Sequence, residues 1–483
     1  MASHHRTAIK AVKLKKILVL SALLTTGSAA LLASTGVIDP GARSSPQSAP
    51  GGPLSGLTRE ETELFNAGKE VFTEIDSVDG KFVSPTFGPG RSAGLGPRFN
   101  MNSCAGCHAH PAAGGSAPRI NPQVAVARDG GATNVVPDFI KLNGPVRVAR
   151  FKFAVDANGY IAYPPARDGG VQQLFTITNR ADARNCSIAQ PNFKIAASQN
   201  NLIFRIPTPL FGLGLVESIE DSTILASHAA TASARGMLGI QGHPNRNDND
   251  GTINRYGWKA QNKSLALFSG EAYNVEQGVT NEFFPNERDV GATPLPASCL
   301  SESYPEDHTK MNWSGSQATY TAVASDLQKF VTFSRFSAPP APACDSFNSS
   351  ACPATVQRGR AVFNEIGCAL CHTPELTVGR SVITAIKNQR TARLFSDLLV
   401  HRMGSGLADG ITQGIAQDDE FRTAPLWGVG QRLFFLHDGR ANNLVDAIQQ
   451  HASSGSEANG VIRKYNQLPE TQQQDLINFL RSL

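Results

Sequence analysis

Two pentapeptides in this 483-residue chain share one pattern: Cys104-Ala-Gly-Cys107-His108 and Cys368-Ala-Leu-Cys371-His372. Cys-x-x-Cys-His is the spacing that c-type haem attachment requires. The two thiols form thioethers to the vinyl groups, and the adjoining imidazole swings onto the iron as proximal ligand. A thioredoxin-like dithiol or a zinc pair are the alternatives, and two matches in a chain with export features favour two covalent haems. Four cysteines remain: Cys186, Cys299, Cys344 and Cys352. They are an even set suited to disulfides in an oxidising compartment, and three pairings are open. Cys344 and Cys352 bracket a short polar loop and form the natural local pair, which leaves Cys186 with Cys299; free buried thiols are the alternative.

Each motif needs elements to hold it, and the same phrase precedes both: Ala67-Gly-Lys-Glu-Val-Phe-Thr-Glu-Ile75 and Arg358-Gly-Arg-Ala-Val-Phe-Asn-Glu-Ile366. Each half closes on Asp-Leu-x-x-Phe, at 326–330 and 475–479, and in the second Leu476, Phe479, Leu480 and Leu483 recur at helical spacing. An opening helix, a haem turn and a closing helix therefore occur twice. The expected fold is mainly α, with two cytochrome c-like domains in tandem (57–336 and 344–483) joined by a Pro-rich hinge at 337–343. A long insertion at about 111–255 reads as turns between short β-prone runs, Val146–Phe153, Leu174–Thr178 and Leu202–Ile206, placed over the N-terminal haem.

Length and composition agree with a globular protein of two to three domains, at 41% hydrophobic and 17% charged residues. The formal charge of +4 misleads, because residues 1–33 carry five basic side chains and no acid, and the chain without them stands at −1. Nothing basic remains to suggest a nucleic-acid partner. That stretch, with an apolar run from Ile17 to Leu24 and a small-residue zone after it, predicts a cleaved secretory signal over 1–33 and a periplasmic protein; an uncleaved anchor is the alternative. Residues 34–56, rich in Pro, Ser and Gly, predict a disordered tether.

The chain resembles the bacterial di-haem oxidoreductases related to di-haem cytochrome c peroxidases and the methylamine-utilisation di-haem enzymes, and more distantly the rubber oxygenases. The resemblance runs from about Leu57 to Leu483. It is carried by GLGPRFNMNSCAGCH (94–108), PLFGLGLVESI (209–219), RYGWKAQ (255–261), EAYNVEQGVTNEFFP (271–285), DLLVHRMGSGLADG (397–410) and FFLHDGR (434–440). It implies a reaction-centre haem on His108 and an electron-relay haem on His372. The relay's distal ligand in related enzymes lies fourteen residues past the histidine of the last block, which points to His451. His451 also shares a helical face with Leu444 and Ile448, turning it toward the core. Met403, in a Gly-rich turn, is the rival ligand, since Met is the commonest partner of His in cytochromes c. His401 and His437 are expected as pocket or hydrogen-bonding groups near the same haem.

The resemblance further implies that Trp258 stands between the haems and that Glu276 is a distal-pocket acid able to move a peroxide proton. No distal ligand for the N-terminal haem stands out: His110 is too near His108, and His243 lies in no motif. The run Asn245–Gly251 places its glycine wrongly for an EF-hand, yet the resemblance implies a calcium ion held between the domains. The expected activity is a peroxidase-like haem oxidoreductase. It would take electrons from a small cytochrome c or cupredoxin and act on peroxide or an organic substrate. A di-haem electron carrier without its own substrate and an O2-dependent oxygenase are the alternatives.

Overall fold

The computed structural model describes residues 36–44, 50–183, 185–288, 294–300, 305–310, 319–348, 350–387 and 391–483, and from Val37 onward they form one compact unit. The expected signal over 1–33 lies outside the described residues. No helix among the described residues is long and apolar enough to cross a membrane.

The first element is helix α1 (Arg59–Thr73), which starts where Thr58 and Glu61 exchange hydrogen bonds as a capping box. Beyond the first Cys-x-x-Cys-His turn, strand β1 (Val148–Phe151) is the centre of a three-stranded antiparallel sheet. It pairs with β2 (Val171–Gln172) on one side and β3 (Leu202–Arg205) on the other. The sequence then turns helical: α2 (Asp221–Ala230), α3 (Ala232–Leu238), α4 (Leu265–Ala272) and α5 (Asp326–Phe336) follow. The second motif is preceded by α6 (Ala354–Ile366) and followed by the strand pair β4 (Val400–Arg402) and β5 (Glu420–Arg422), then α7 (Leu444–Gln449), α8 (Asn459–Gln467) and α9 (Glu470–Ser482). Helices dominate and the strands are short. The insertion is β-prone only up to Arg205, because α2 and α3 occupy 221–238, where turns were expected.

The repeated phrase acquires a physical meaning in the two long-helix contacts, α1 on α5 and α6 on α9. Gly68 of α1 lies against the Lys329 carbonyl, and Gly359 of α6 against the Asp475 carbonyl, so closely that a Cβ at either would collide with backbone. The repeated glycine therefore sets the helix separation. Around the crossings, Phe72 packs on Phe333 with ring centroids 4.7 Å apart, and Phe363 on Phe479 at 5.3 Å. Such pairs bury the apolar faces that no single helix can cover.

Two segments are tied down more firmly than their composition predicts. The expected tether at 34–56 is described at 36–44 and 50–56, where it makes defined contacts. Asp39 makes a bidentate ion pair at 2.6 Å with Arg481 of α9, Arg43 donates to the carbonyls of Ala341 and Leu483, and Leu54 is buried with its N–H on Phe336 O. A polar linker is ordered when its few charged and apolar groups find partners, and these do. The Pro-rich connector at 337–343 is likewise pinned at both ends, Ala338 N–H to Gly52 O and Ala343 N–H to Ser482 O. The four non-motif cysteines are joined as Cys186–Cys299 and Cys344–Cys352.

Candidate functional site: two cavities sharing a wall

Each Cys-x-x-Cys-His turn opens onto its own largely apolar cavity. One, of about 210 Å³, is lined by Cys104, Cys107, His108 and Glu276; the other, of about 230 Å³, by Cys368, Cys371, His372, Met403, His437 and His451. Residues 206–207 and Trp258 line both, so Trp258 stands in the common wall. Its indole N–H donates to Ile206 O at 2.8 Å, which fixes the ring in that wall.

Three of the histidines lining these cavities have one ring nitrogen committed to a backbone carbonyl. His108 Nδ1 is bonded to Gly115 O (3.0 Å), His372 Nδ1 to Phe395 O (3.1 Å) and His451 Nδ1 to Ala447 O (2.7 Å). Holding Nδ1 on a carbonyl fixes the tautomer and leaves Nε2 as the donor atom, the usual arrangement for a metal-bound imidazole. Burial pulls His108 and His372 down to about 4, and His451 is lowered by burial as well, so all three are neutral and ready to ligate. His372 and His451 face each other with ring centroids 6.5 Å apart. Metal–imidazole bonds run about 2 Å, so two rings on opposite faces of one iron sit with centroids roughly 6 Å apart. Met403 lines the same cavity, held by its backbone to Asp419 and Ser453.

Covalent haem fits this donor set. The four motif thiols are unpaired, and burial pushes those of Cys104, Cys107 and Cys368 up, so they are held as neutral thiols. Arg422 and Arg432, on the wall of the C-terminal cavity, are lowered by burial to about 10 and spend their hydrogen bonds on backbone carbonyls. Both remain cations suited to a haem propionate.

His401 is not poised as a ligand. His401 is buried with both nitrogens taken, Nε2 by Asp397 (2.9 Å) and Nδ1 by Glu457 (2.8 Å). Burial disfavours its charge, but the neighbouring Cys371 sulfur and the Asp397 carboxylate outweigh that and raise its pKa well above the usual value. His437 is stacked on Phe421 at 4.2 Å with Trp258 at its edge, and burial lowers it to about 4. Of the histidines weighed for the N-terminal haem, His110 bonds Gln431 O and His243 bonds Glu420, and neither lines the N-terminal cavity.

Within the N-terminal cavity, Glu276 lies on a single wide turn of π-helix, Tyr273–Gln277, that continues α4. Burial raises its carboxyl to about 7, against an opposing hydrogen bond from Asn100 Nδ2 at 2.8 Å. The backbone N–H of Asn100 donates to Glu276 O at 2.7 Å, so the loop that leads into Cys104 is fastened to this acid. Sequence reading missed Asn100, although it lies in the FNMN stretch of a quoted block.

Among the described residues no group of three or more His, Cys, Asp or Glu side chains is arranged to hold a metal. The side chain of Asn245, which opens the suspected loop, is spent on the carbonyls of Lys259 and Gln413.

Residues 150–483 match the family model described as "Di-haem oxidoreductase, putative peroxidase". The chain belongs to the di-haem oxidoreductase family. That membership implies two haems and an oxidoreductase, in agreement with two motifs over two cavities. A comparison with curated proteins finds no match. Among solved structures, a MauG-like protein associated with microbial copper homeostasis aligns at 19% identity over 33% of this chain and 52% of its own, about half its length, with a TM-score of 0.25. The hydrazine synthase of Kuenenia stuttgartiensis aligns at 12% identity over 97% and 100% of the two chains, TM-score 0.33. The dihaem peroxidase BthA of Burkholderia thailandensis aligns at 13% over 92% of each, TM-score 0.37. Superposition scores this low do not establish a shared fold, and the family assignment stands on the sequence match.

Proposed function

We propose that this di-haem oxidoreductase is an exported, peroxidase-like enzyme built from two cytochrome c-like domains. Cys104, Cys107 and His108 would hold the reaction-centre haem, and Cys368, Cys371, His372 and His451 the electron-relay haem. The observation that carries this reading is the asymmetry of the two cavities. Opposite His372 stands a second imidazole, His451, with its Nδ1 anchored. In the N-terminal cavity, among the described residues, no second histidine lines the wall, and Met101 packs on Gly106 of the motif itself. An acid, Glu276, is present there instead. An electron carrier needs neither an open face nor a titrating carboxyl beside it.

Bound haem supplies the redox-active iron at which peroxide is reduced. The chain's own part is to hold and move protons and to fix distances. Glu276, poised near neutrality, takes the proton from the near oxygen of peroxide and returns it to the departing oxygen, so that water leaves. Trp258, fixed in the common wall, lies on the short route for electrons between the cavities. Reducing equivalents would come from a small cytochrome c or cupredoxin in the periplasm, and the oxidant is peroxide. Electron paramagnetic resonance of the ferric protein tests this: one high-spin and one low-spin haem are expected. Two low-spin signals would assign the chain as an electron carrier, and a mixed-spin protein that reacts with O2 but not peroxide would assign it as an oxygenase.

A further inference from the structure

Lys259, next to Trp258 in the common wall, is fully buried, and its ammonium is enclosed by oxygen. It donates to the carbonyls of Gln417 (2.8 Å), Asp418 (3.2 Å) and Glu420 (2.8 Å) and lies 3.3 Å from Asp409 Oδ1. All four oxygens come from the 409–420 segment of the C-terminal half, and Lys259 reaches them from the N-terminal half. Backbone carbonyls joined by a carboxylate are the ligand set that hard cations select. The far side of the ammonium lies 4.1 Å over the Phe421 ring, which stacks on His437, whose edge meets Trp258. Asn245 closes the arrangement by bridging Lys259 O to Gln413 O, and Arg205 secures Asp409 at 2.6 Å.

We propose that Lys259 is the resident cation of this wall: its tethered ammonium fills the oxygen cage in place of a metal ion and, through Phe421 and His437, positions Trp258 between the two cavities. The wall is then complete without any dissociable metal. This assignment concerns the wall alone and stands or falls separately from the peroxidase reading. Removing the ammonium takes a donor from three carbonyls and one of two cations from Asp409, which keeps Arg205, a costly change in a buried site.

The test uses the full di-haem protein after chelator treatment. Wild type should keep its thermal midpoint on chelation and show no stoichiometric calcium binding by calorimetry. Lys259→Met, which keeps length and apolar bulk but not charge, should lose roughly 5 °C or more. Lys259→Ala should fall similarly and recover at least half of the loss with n-butylammonium or calcium, but not with tetramethylammonium at the same ionic strength. A merely space-filling role would predict the reverse, a stable Lys259→Met and no cation-specific rescue, and that result overturns the proposal. One calcium bound per wild-type chain with a rise in midpoint also overturns it. If neither variant accumulates, the wild-type titration still decides: no stoichiometric calcium supports the proposal.

Discussion

Two side chains in the cavities carry the sharpest expectations, because their environments oppose their ordinary chemistry. Glu276 is raised to about 7 by burial, so near neutrality it exchanges protons readily. In the proposed role of base for peroxide cleavage it must be ionised, and the rate should therefore climb with pH through the region of 7 and then level. Glu276→Gln should abolish that limb and slow peroxide-driven haem oxidation by about 10² to 10⁴, with both resting spectra unchanged; stopped-flow absorbance measures it. His451 should govern the C-terminal haem, since its ring lies 6.5 Å from that of His372 between centroids and its Nδ1 is committed to Ala447 O, leaving Nε2 free to ligate. His451→Ala should convert a low-spin signal to high-spin or move the reduction potential. A spectrum that ignores His451→Ala and responds to Met403→Ala would transfer the role to Met403.

Helix crossings and the N-terminal strap decide whether those side chains stay in place. Gly359 touches the Asp475 carbonyl of the facing helix, so Gly359→Ala must push α6 and α9 apart. The expected cost is about 1–3 kcal/mol from overpacking, read by denaturant titration, together with poorer occupancy of the C-terminal haem. Gly68→Ala should do the same at α1 and α5. The strap makes a different claim. Asp39 is buried, which opposes its charge, but the hydrogen bonds of Arg481, Leu444 and Gly41 prevail and hold its pKa below the usual value. A carboxyl depressed in the folded state stabilises above its unfolded pKa, about 3.9, and that contribution disappears as pH falls through the folded value. Asp39→Asn should accordingly cost roughly 1–3 kcal/mol at pH 7, and the gap to wild type should close below about pH 4.

At the scale of the whole molecule, two attachment sites in one compact unit predict two haems per chain, each lost separately. In a host with cytochrome maturation, denatured mass spectrometry should find two haems on the wild type and one on Cys371→Ala, with the Cys104–Cys107 site still loaded. One haem on the wild type would remove the C-type reading of one motif. The molecule also holds the halves together through more than the 337–343 connector, since Arg205, Asn245, Trp258 and Lys259 from the first half bond or stack on 409–437 of the second.

Local information was enough for the repeated helices and the Cys344–Cys352 pair, because helical periodicity and short loop closure act over a few residues, while Cys186–Cys299, 113 residues apart, followed only as the pair left over. His451 was reachable too, by counting from a motif and reading one helical face. The common wall was not. Trp258 meets His437, Glu276 meets Asn100 and Lys259 meets the 417–420 carbonyls across separations of 158 to 179 residues, and no periodicity records such partners. Tertiary packing likewise ordered the Asp39 strap and kept His110 and His243 away from the N-terminal cavity. It also enclosed Lys259 in backbone oxygens, since burial and partner choice are properties of the folded chain and not of its spacing.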